Sequence, residues 1–150
     1  MNIIFRNYDK NDYCDLRDMM FSLYIEDPVD VLMTEAKVKS TIRESMTHPG
    51  KIRIIMICTD GMNIGYGLIV MYWSNEFGGN IVNIDELYVK KEYRNKQVAT
   101  SFIKHQMTAY ENSVALQLQI TPSNTTAARL YDKLGFKPSP NCHVILHLDT

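Results

Sequence analysis

The chain has 150 residues, 45% hydrophobic and 22% charged, with a formal net charge of −1 at pH 7. That length supports one domain with a substantial core, and the balanced charge gives no electrostatic basis for binding nucleic acid or a membrane surface. No apolar run approaches the roughly 18 residues of a membrane span, and residues 1–10 lack the apolar stretch of a signal peptide. The three cysteines, Cys14, Cys58 and Cys142, have neither zinc-site nor disulfide-scaffold spacing. A cytoplasmic location is expected, with each cysteine a small buried hydrophobe.

Residues 3–8 read as a first strand. Asn11 and Asp12 are candidate caps for a helix with Tyr13, Leu16, Met20, Leu23 and Tyr24 on one face. Asp27-Pro28 interrupts it. A second helix is expected from near Thr34, with Val38, Ile42 and Met46 at four-residue spacing, ending at Pro49-Gly50. Three strands follow, at 52–58, 63–73 and 81–89, with turns at Asp60-Gly61 and Gly78-Gly79. The period then becomes helical, with Val98, Phe102, Ile103, Met107 and Tyr110 in a stripe. A strand at 114–120, a helix at 125–134 and a closing strand at 142–148 complete the order. Such an order predicts a mixed α/β domain around one central sheet, spanning the whole chain.

The segment most informative about chemistry is Asp85-Glu86-Leu87-Tyr88-Val89 followed by Tyr93-Arg94-Asn95-Lys96-Gln97-Val98-Ala99-Thr100. A strand runs through a short polar turn straight into a helix. The unpaired N–H groups of a first helical turn, with the helix dipole, suit a phosphate, and Arg94 and Lys96 add positive charge beside them. Taken alone, the segment reads more simply as an ordinary strand-to-helix turn with Asn95 as its cap. Downstream, Asn124-Thr125-Thr126-Ala127-Ala128-Arg129-Leu130-Tyr131-Asp132-Lys133-Leu134-Gly135-Phe136 reads as a helix capped by Asn124 and closed by Gly135. Its inner face is expected to carry Ala127, Ala128, Tyr131 and Leu134.

Together these strings resemble the two signature motifs of the GNAT superfamily of acetyltransferases. The first is Arg or Gln, two residues, Gly, one residue, then Gly or Ala, which Arg94 and Ala99 match; Gln97 stands at the Gly position and Asn95 where a second Gly is frequent. The second is an Asn, a pair of Ala, Leu-Tyr, a charged pair and Leu-Gly-Phe. The resemblance implies the GNAT fold, a mostly antiparallel mixed sheet of six to seven strands flanked by about four helices. It implies acetyl-CoA as co-substrate, no metal, and direct acetyl transfer to an amine in a ternary complex. Residues 94–100 (Arg94, Asn95, Lys96, Gln97, Val98, Ala99, Thr100) would hold the pyrophosphate, Leu87, Tyr88 and Val89 the pantetheine arm, and Asn124 and Tyr131 the thioester end. With helical dihedrals at Gln97 the loop is expected to work unchanged; a left-handed turn there is expected to weaken CoA binding.

Tyr131 matches the family's proton donor to the leaving thiolate. Resemblance to the spermidine/spermine acetyltransferase branch implies Asp85 as the general base, with Glu86 as the neighbouring acid; Glu86 and a water are the alternative bases. Adjacent strand residues face opposite sides of a sheet, so only one of the two is expected to point directly into a given pocket. Glu26, Asp27, Asp30 and Glu76 form a candidate acidic rim for a cationic small amine, of the polyamine or aminoglycoside kind, and Glu86, Trp73 and Tyr24 are candidate acceptor contacts. A protein or peptide acceptor and a degenerate domain with only a binding or assembly role are the alternatives. A homodimer is expected. His143 and His147 share a strand face but lack a third metal ligand, and His105 lies on the polar side of its helix.

Overall fold

The computed structural model describes residues 1–148. Its elements are β1 (Ile4–Asn7), a 3-10 turn (Lys10–Asp12), α1 (Tyr13–Glu26), α2 (Glu35–Thr47), β2 (Ile52–Thr59), β3 (Met62–Ser74), β4 (Gly79–Val89), a second 3-10 turn (Lys91–Tyr93), α3 (Val98–Ala109), β5 (Ala115–Leu118) and α4 (Thr125–Lys133). The five strands form one sheet in the order β1-β2-β3-β4-β5. The first four are antiparallel and β5 joins β4 in parallel. This is the expected GNAT architecture with fewer strands than the six to seven predicted. The closing strand expected at 142–148 does not form: those residues pair with nothing among the described residues and are exposed.

Local chemistry explains most boundaries. Thr34 caps α2 by accepting from the Lys37 N–H at 3.2 Å. Asp60 and Gly61 both take positive φ, 50° and 75°, the geometry of a tight hairpin turn between β2 and β3. At the end of α4, Gly135 takes φ 95°, while the Phe136 N–H reaches back to the Tyr131 carbonyl at 3.0 Å. That is the left-handed glycine closure expected from the sequence. Before α1, Asp12 is buried and receives both Arg6 terminal nitrogens, at 2.7 and 2.8 Å, which hold its carboxyl down at about 2. This pair ties β1 to the start of α1.

The sheet separates two apolar layers. Ile54, Met56, Tyr66, Leu68 and Tyr88 pack with Leu16, Met19, Met20, Val38 and Ile42 of α1 and α2. Ile55, Ile57, Ile69, Val82 and Ile84 pack with Val98, Phe102 and Ile103 of α3. Gly67 is required on that second face, because a Cβ there would lie 2.1 Å from the Phe102 ring. Several expected core positions differ. Met46 and Met107 are exposed, and Gln106 is buried in the α3 stripe instead. Leu130 replaces Ala128 on the inner side of α4. Of the cysteines only Cys58 is buried; Cys14 and Cys142 are exposed free thiols.

Two irregularities build the site. Leu68 pairs with Glu86 but Ile69 with Ile84, so Asp85 is an extra residue in β4. This bulge reverses the phase of the strand. Val82 and Ile84 face α3, whereas beyond the bulge Leu87 and Val89 take that face and Tyr88 turns to α1 and α2. The second irregularity is the parallel pairing of β4 with β5, which stops at Ile84 and Leu118. Past it the strands diverge and residues 85–89 have no β5 partner.

Candidate active site

The diverging strands open a cavity of about 1240 Å³. The second half of β4 forms one wall, the loop and first turn of α3 another, and residues 118–124 with α4 the third, and the end of α1 also lines it. Two contacts tie that end of α1 and the residue after it to the other walls. Glu26 accepts from Arg94 at 2.6 Å, and Asp27 accepts from the Thr121 hydroxyl at 2.7 Å.

Most of the sequence-derived site residues line this one cavity: Tyr24, Asp85, Glu86, Leu87, Tyr88, Val89, Arg94, Asn95, Gln97, Val98, Ala99, Thr100, Asn124 and Tyr131. Two do not. Trp73 is 66% exposed at the far end of β3, and the Lys96 ammonium turns to the Glu92 carbonyl at 3.0 Å, over the Tyr93 ring. Of the expected acidic rim, Glu26 and Asp27 line the cavity and Asp30 and Glu76 do not.

The bulge corrects the expected division of the two carboxylates. Asp85 shares the face of Asn83, whose side-chain amide donates to it at 3.3 Å. Glu86 reaches Tyr24 and Tyr66 on the same, α1/α2 side. Both acids therefore serve one face, because the extra residue breaks the two-residue alternation. Their environments differ. Each Glu86 oxygen accepts a phenol at 2.6 Å, Oε2 from Tyr24 and Oε1 from Tyr66. Burial raises the Glu86 carboxyl, and these two hydrogen bonds oppose the rise. Asp85 keeps contact with solvent, but the protein around it still raises its carboxyl, against the weak Asn83 bond. Tyr66, fully buried, is a contributor the sequence reading missed. Its only local signal was two flanking glycines, Gly65 and Gly67.

At the α3 wall, the cap of the helix is Gln97 and not Asn95. Gln97 has φ 61° and ψ 21°, and Asn95 has φ 60°. Both are left-handed, a region asparagine tolerates and glutamine disfavours. Gln97 makes no side-chain cap bond, so the first N–H groups of α3 stay free of a side-chain acceptor beside the cavity. The Arg94 side chain braces this loop: Nε donates to the Val89 carbonyl at 2.8 Å and the guanidinium lies 5.4 Å over Tyr88. Gln97→Gly should relieve the backbone strain and stabilise the fold by about 1 kcal/mol, raising the melting temperature by about 2–4 °C. An unchanged or lower midpoint would show that the left-handed turn carries no strain.

On the third wall, Asn124 caps α4 by accepting from the Ala127 N–H at 3.2 Å. Tyr131 packs edge-on against Phe136, ring centroids 5.8 Å apart. Its hydroxyl has no hydrogen-bond partner among the described residues, and burial raises its pKa, so it is a protonated phenol at neutral pH. Among the described residues there is no cluster of three or more potential metal ligands, and no helix is long and apolar enough to cross a membrane.

No curated protein matches the chain. Among solved structures, the fold is similar to a possible acetyltransferase from Clostridium difficile 630, with a TM-score of 0.82 and 18% identity over 100% of both chains. It is similar to AAC(6')-Iy in complex with the bisubstrate analog CoA-S-monomethyl-acetylneamine, with a TM-score of 0.77 and 16% identity over 100% of this chain and 99% of that one. It is also similar to a ribosomal-protein-alanine N-acetyltransferase from Brucella melitensis biovar Abortus 2308, with a TM-score of 0.78 and 13% identity over 97% of this chain and 100% of that one. These likenesses establish the fold. Residues 17–136, which hold the bulged strand, the left-handed loop and the Asn124-to-Phe136 helix, match the acetyltransferase (GNAT) family profile, and the chain belongs to that family.

Proposed function

We propose that this acetyltransferase moves acetyl from acetyl-CoA to a primary amine of a small cationic acceptor, of the polyamine or aminoglycoside kind, by direct attack in a ternary complex. The observation that carries the acceptor class is the charge of the cavity. Among the described residues Glu26, Asp27, Asp85 and Glu86 line it, against one basic side chain, Arg94, which is itself paired with Glu26. Asp85 and Glu86, on the β4 wall, have no such cationic partner among the described residues and attract a cationic acceptor.

The residues present fit CoA. Residues 85–89 have backbone without a β5 partner, suited to the amides of a pantetheine arm. Free N–H groups at the start of α3 suit a pyrophosphate. Acetyl-CoA, when bound, supplies an acetyl group activated as a thioester. Asp85, solvent-connected and raised above the usual carboxylate range, is the group we assign to take the proton of the attacking amine. Glu86, fixed by Tyr24 and Tyr66, is assigned to hold the acceptor's positive charge. Tyr131, with a free protonated hydroxyl, is assigned to protonate the departing thiolate. The exposed free thiols of Cys14 and Cys142 accord with a reducing, cytoplasmic setting.

Glu86→Gln tests the acceptor assignment. The amide keeps the shape and loses the charge, so KM for spermidine or an aminoglycoside should rise roughly tenfold or more with a smaller change in kcat. A KM unchanged for these amines, alongside turnover of an N-terminal peptide, would replace the small cationic acceptor with a protein one.

A further inference from the structure

We propose that Asn83, Gln117 and Tyr72 are positioning residues for Asp85, three hydrogen-bond donors in series that aim its carboxylate and favour its ionised form. Their catalytic meaning rests on the assignment of Asp85 as the base.

Asp85 lacks the neighbours that normally fix a strand residue. The bulge leaves it without a β3 partner, and the pairing of β4 with β5 stops one residue before it. The rungs just before it carry the series. Asn83 lies directly across from Gln117 of β5, and Tyr72 of β3 pairs with Ile81. The Tyr72 hydroxyl donates to Gln117 Oε1 at 3.0 Å, Gln117 Nε2 donates to Asn83 Oδ1 at 3.3 Å, and Asn83 Nδ2 donates to Asp85 Oδ1 at 3.3 Å. The series draws on three strands and ends on the carboxylate.

Its direction follows from that end. An ionised carboxylate only accepts, so Asn83 turns its NH2 to Asp85 and its oxygen away. That oxygen takes the Gln117 NH2, which leaves the Gln117 oxygen for a hydroxyl, and Tyr72 supplies one. Each link polarises the next, so bonds that are individually long act together. The Asn83 bond opposes the desolvation that raises the Asp85 carboxyl.

Sheet stability does not call for these side chains. The alternate positions Val82, Ile84, Leu116 and Leu118 are aliphatic and pack in the layer under α3. Asparagine is depleted in strands, yet Asn83 stands mid-strand, paired with Val70 on one side and Gln117 on the other. Both ends of its amide are used in the series. Asp85 acts through its charge on Glu86 and Tyr24. Glu26, Asp27, Arg94 and Tyr131 share its cavity from the end of α1, the α3 loop and α4. None of these belongs to the series, so substitutions within it leave that set of groups in place.

The test is an NMR titration of the Asp85 carboxyl carbon in the full chain, with rate–pH profiles for amine acetylation beside it. Asn83→Leu should raise the Asp85 midpoint by about 0.5–1 pH unit and lower the plateau kcat by about 3- to 10-fold. Gln117→Leu and Tyr72→Phe should raise the midpoint as well, by about 0.1–0.3 pH unit, through the links that remain. Tyr72 is 43% exposed and phenylalanine keeps its ring, so Tyr72→Phe carries the test even where Asn83→Leu fails to fold. A midpoint unmoved in Tyr72→Phe overturns the series, and a merely structural role would leave it unmoved in all three. The carboxyl titration reads the series whether or not Asp85 is the base. Midpoints that move while the acidic limb of the rate stays fixed uphold the series and remove the base assignment. An acidic limb that vanishes in Asp85→Asn, with a midpoint indifferent to the three variants, upholds the base and overturns the series.

Discussion

Asp85→Asn should lower kcat for amine acetylation by about 10²- to 10⁴-fold, the usual contribution of a positioned general base, while leaving acetyl-CoA affinity and the fold intact. An amine with a pKa near 10 arrives as an ammonium and must shed a proton before or as the N–C bond forms. Partial desolvation by the surrounding protein raises the Asp85 carboxyl above its ordinary range. The working form is the ionised one, so native activity should fall as pH drops through that raised pKa and hold above it. In Asp85→Asn the acidic limb due to this group disappears; in Glu86→Gln it persists. A rate–pH profile that keeps the same acidic limb without Asp85 would move the base to Glu86 or to water.

Tyr131→Phe is expected to be the other large effect, a loss of about 10²-fold or more in kcat. The ring contributes packing against Phe136, and phenylalanine retains that contact. The hydroxyl, free of any partner among the described residues, is what the substitution removes. The loss should be confined to kcat, with KM for the amine and the melting temperature nearly unchanged. It should also shrink for acyl donors whose leaving thiol is more acidic, since a better leaving group needs less protonation. A parallel loss for every donor would make Tyr131 a positioning residue.

The features legible in the sequence are those written locally. Asp60-Gly61 specifies a tight hairpin whatever surrounds it. Asn124 and Gly135 bracket α4 with side-chain and backbone chemistry that needs no distant partner. The resemblance across 81–136 named residues on three walls of one cavity, because its motifs lie along those walls. What escaped is set by distant pairing. The bulge at Asp85 exists only in the register of β4 against β3, and it is what turns both carboxylates to one face. Gln97 carries helical propensity, yet the turn requires a left-handed residue at that point and tertiary packing imposes one. Met46 and Met107 continue apolar stripes past the reach of the sheet, so their spacing says core where the geometry says surface. Residues 142–148 have the pattern of a strand, but a strand also needs a neighbour.

The most direct measurement is thiol release from acetyl-CoA by the purified native chain, with spermidine, an aminoglycoside and an N-terminal peptide as separate acceptors, after calorimetry has established whether acetyl-CoA binds. The predicted result is acetyl-CoA binding that is weaker in the native chain than in Gln97→Gly, as the left-handed Gln97 implies, and thiol release that depends on the cationic small amines. Absence of binding in the native chain, restored in Gln97→Gly, would mean that the left-handed loop closes the site to the co-substrate and that the domain serves another role.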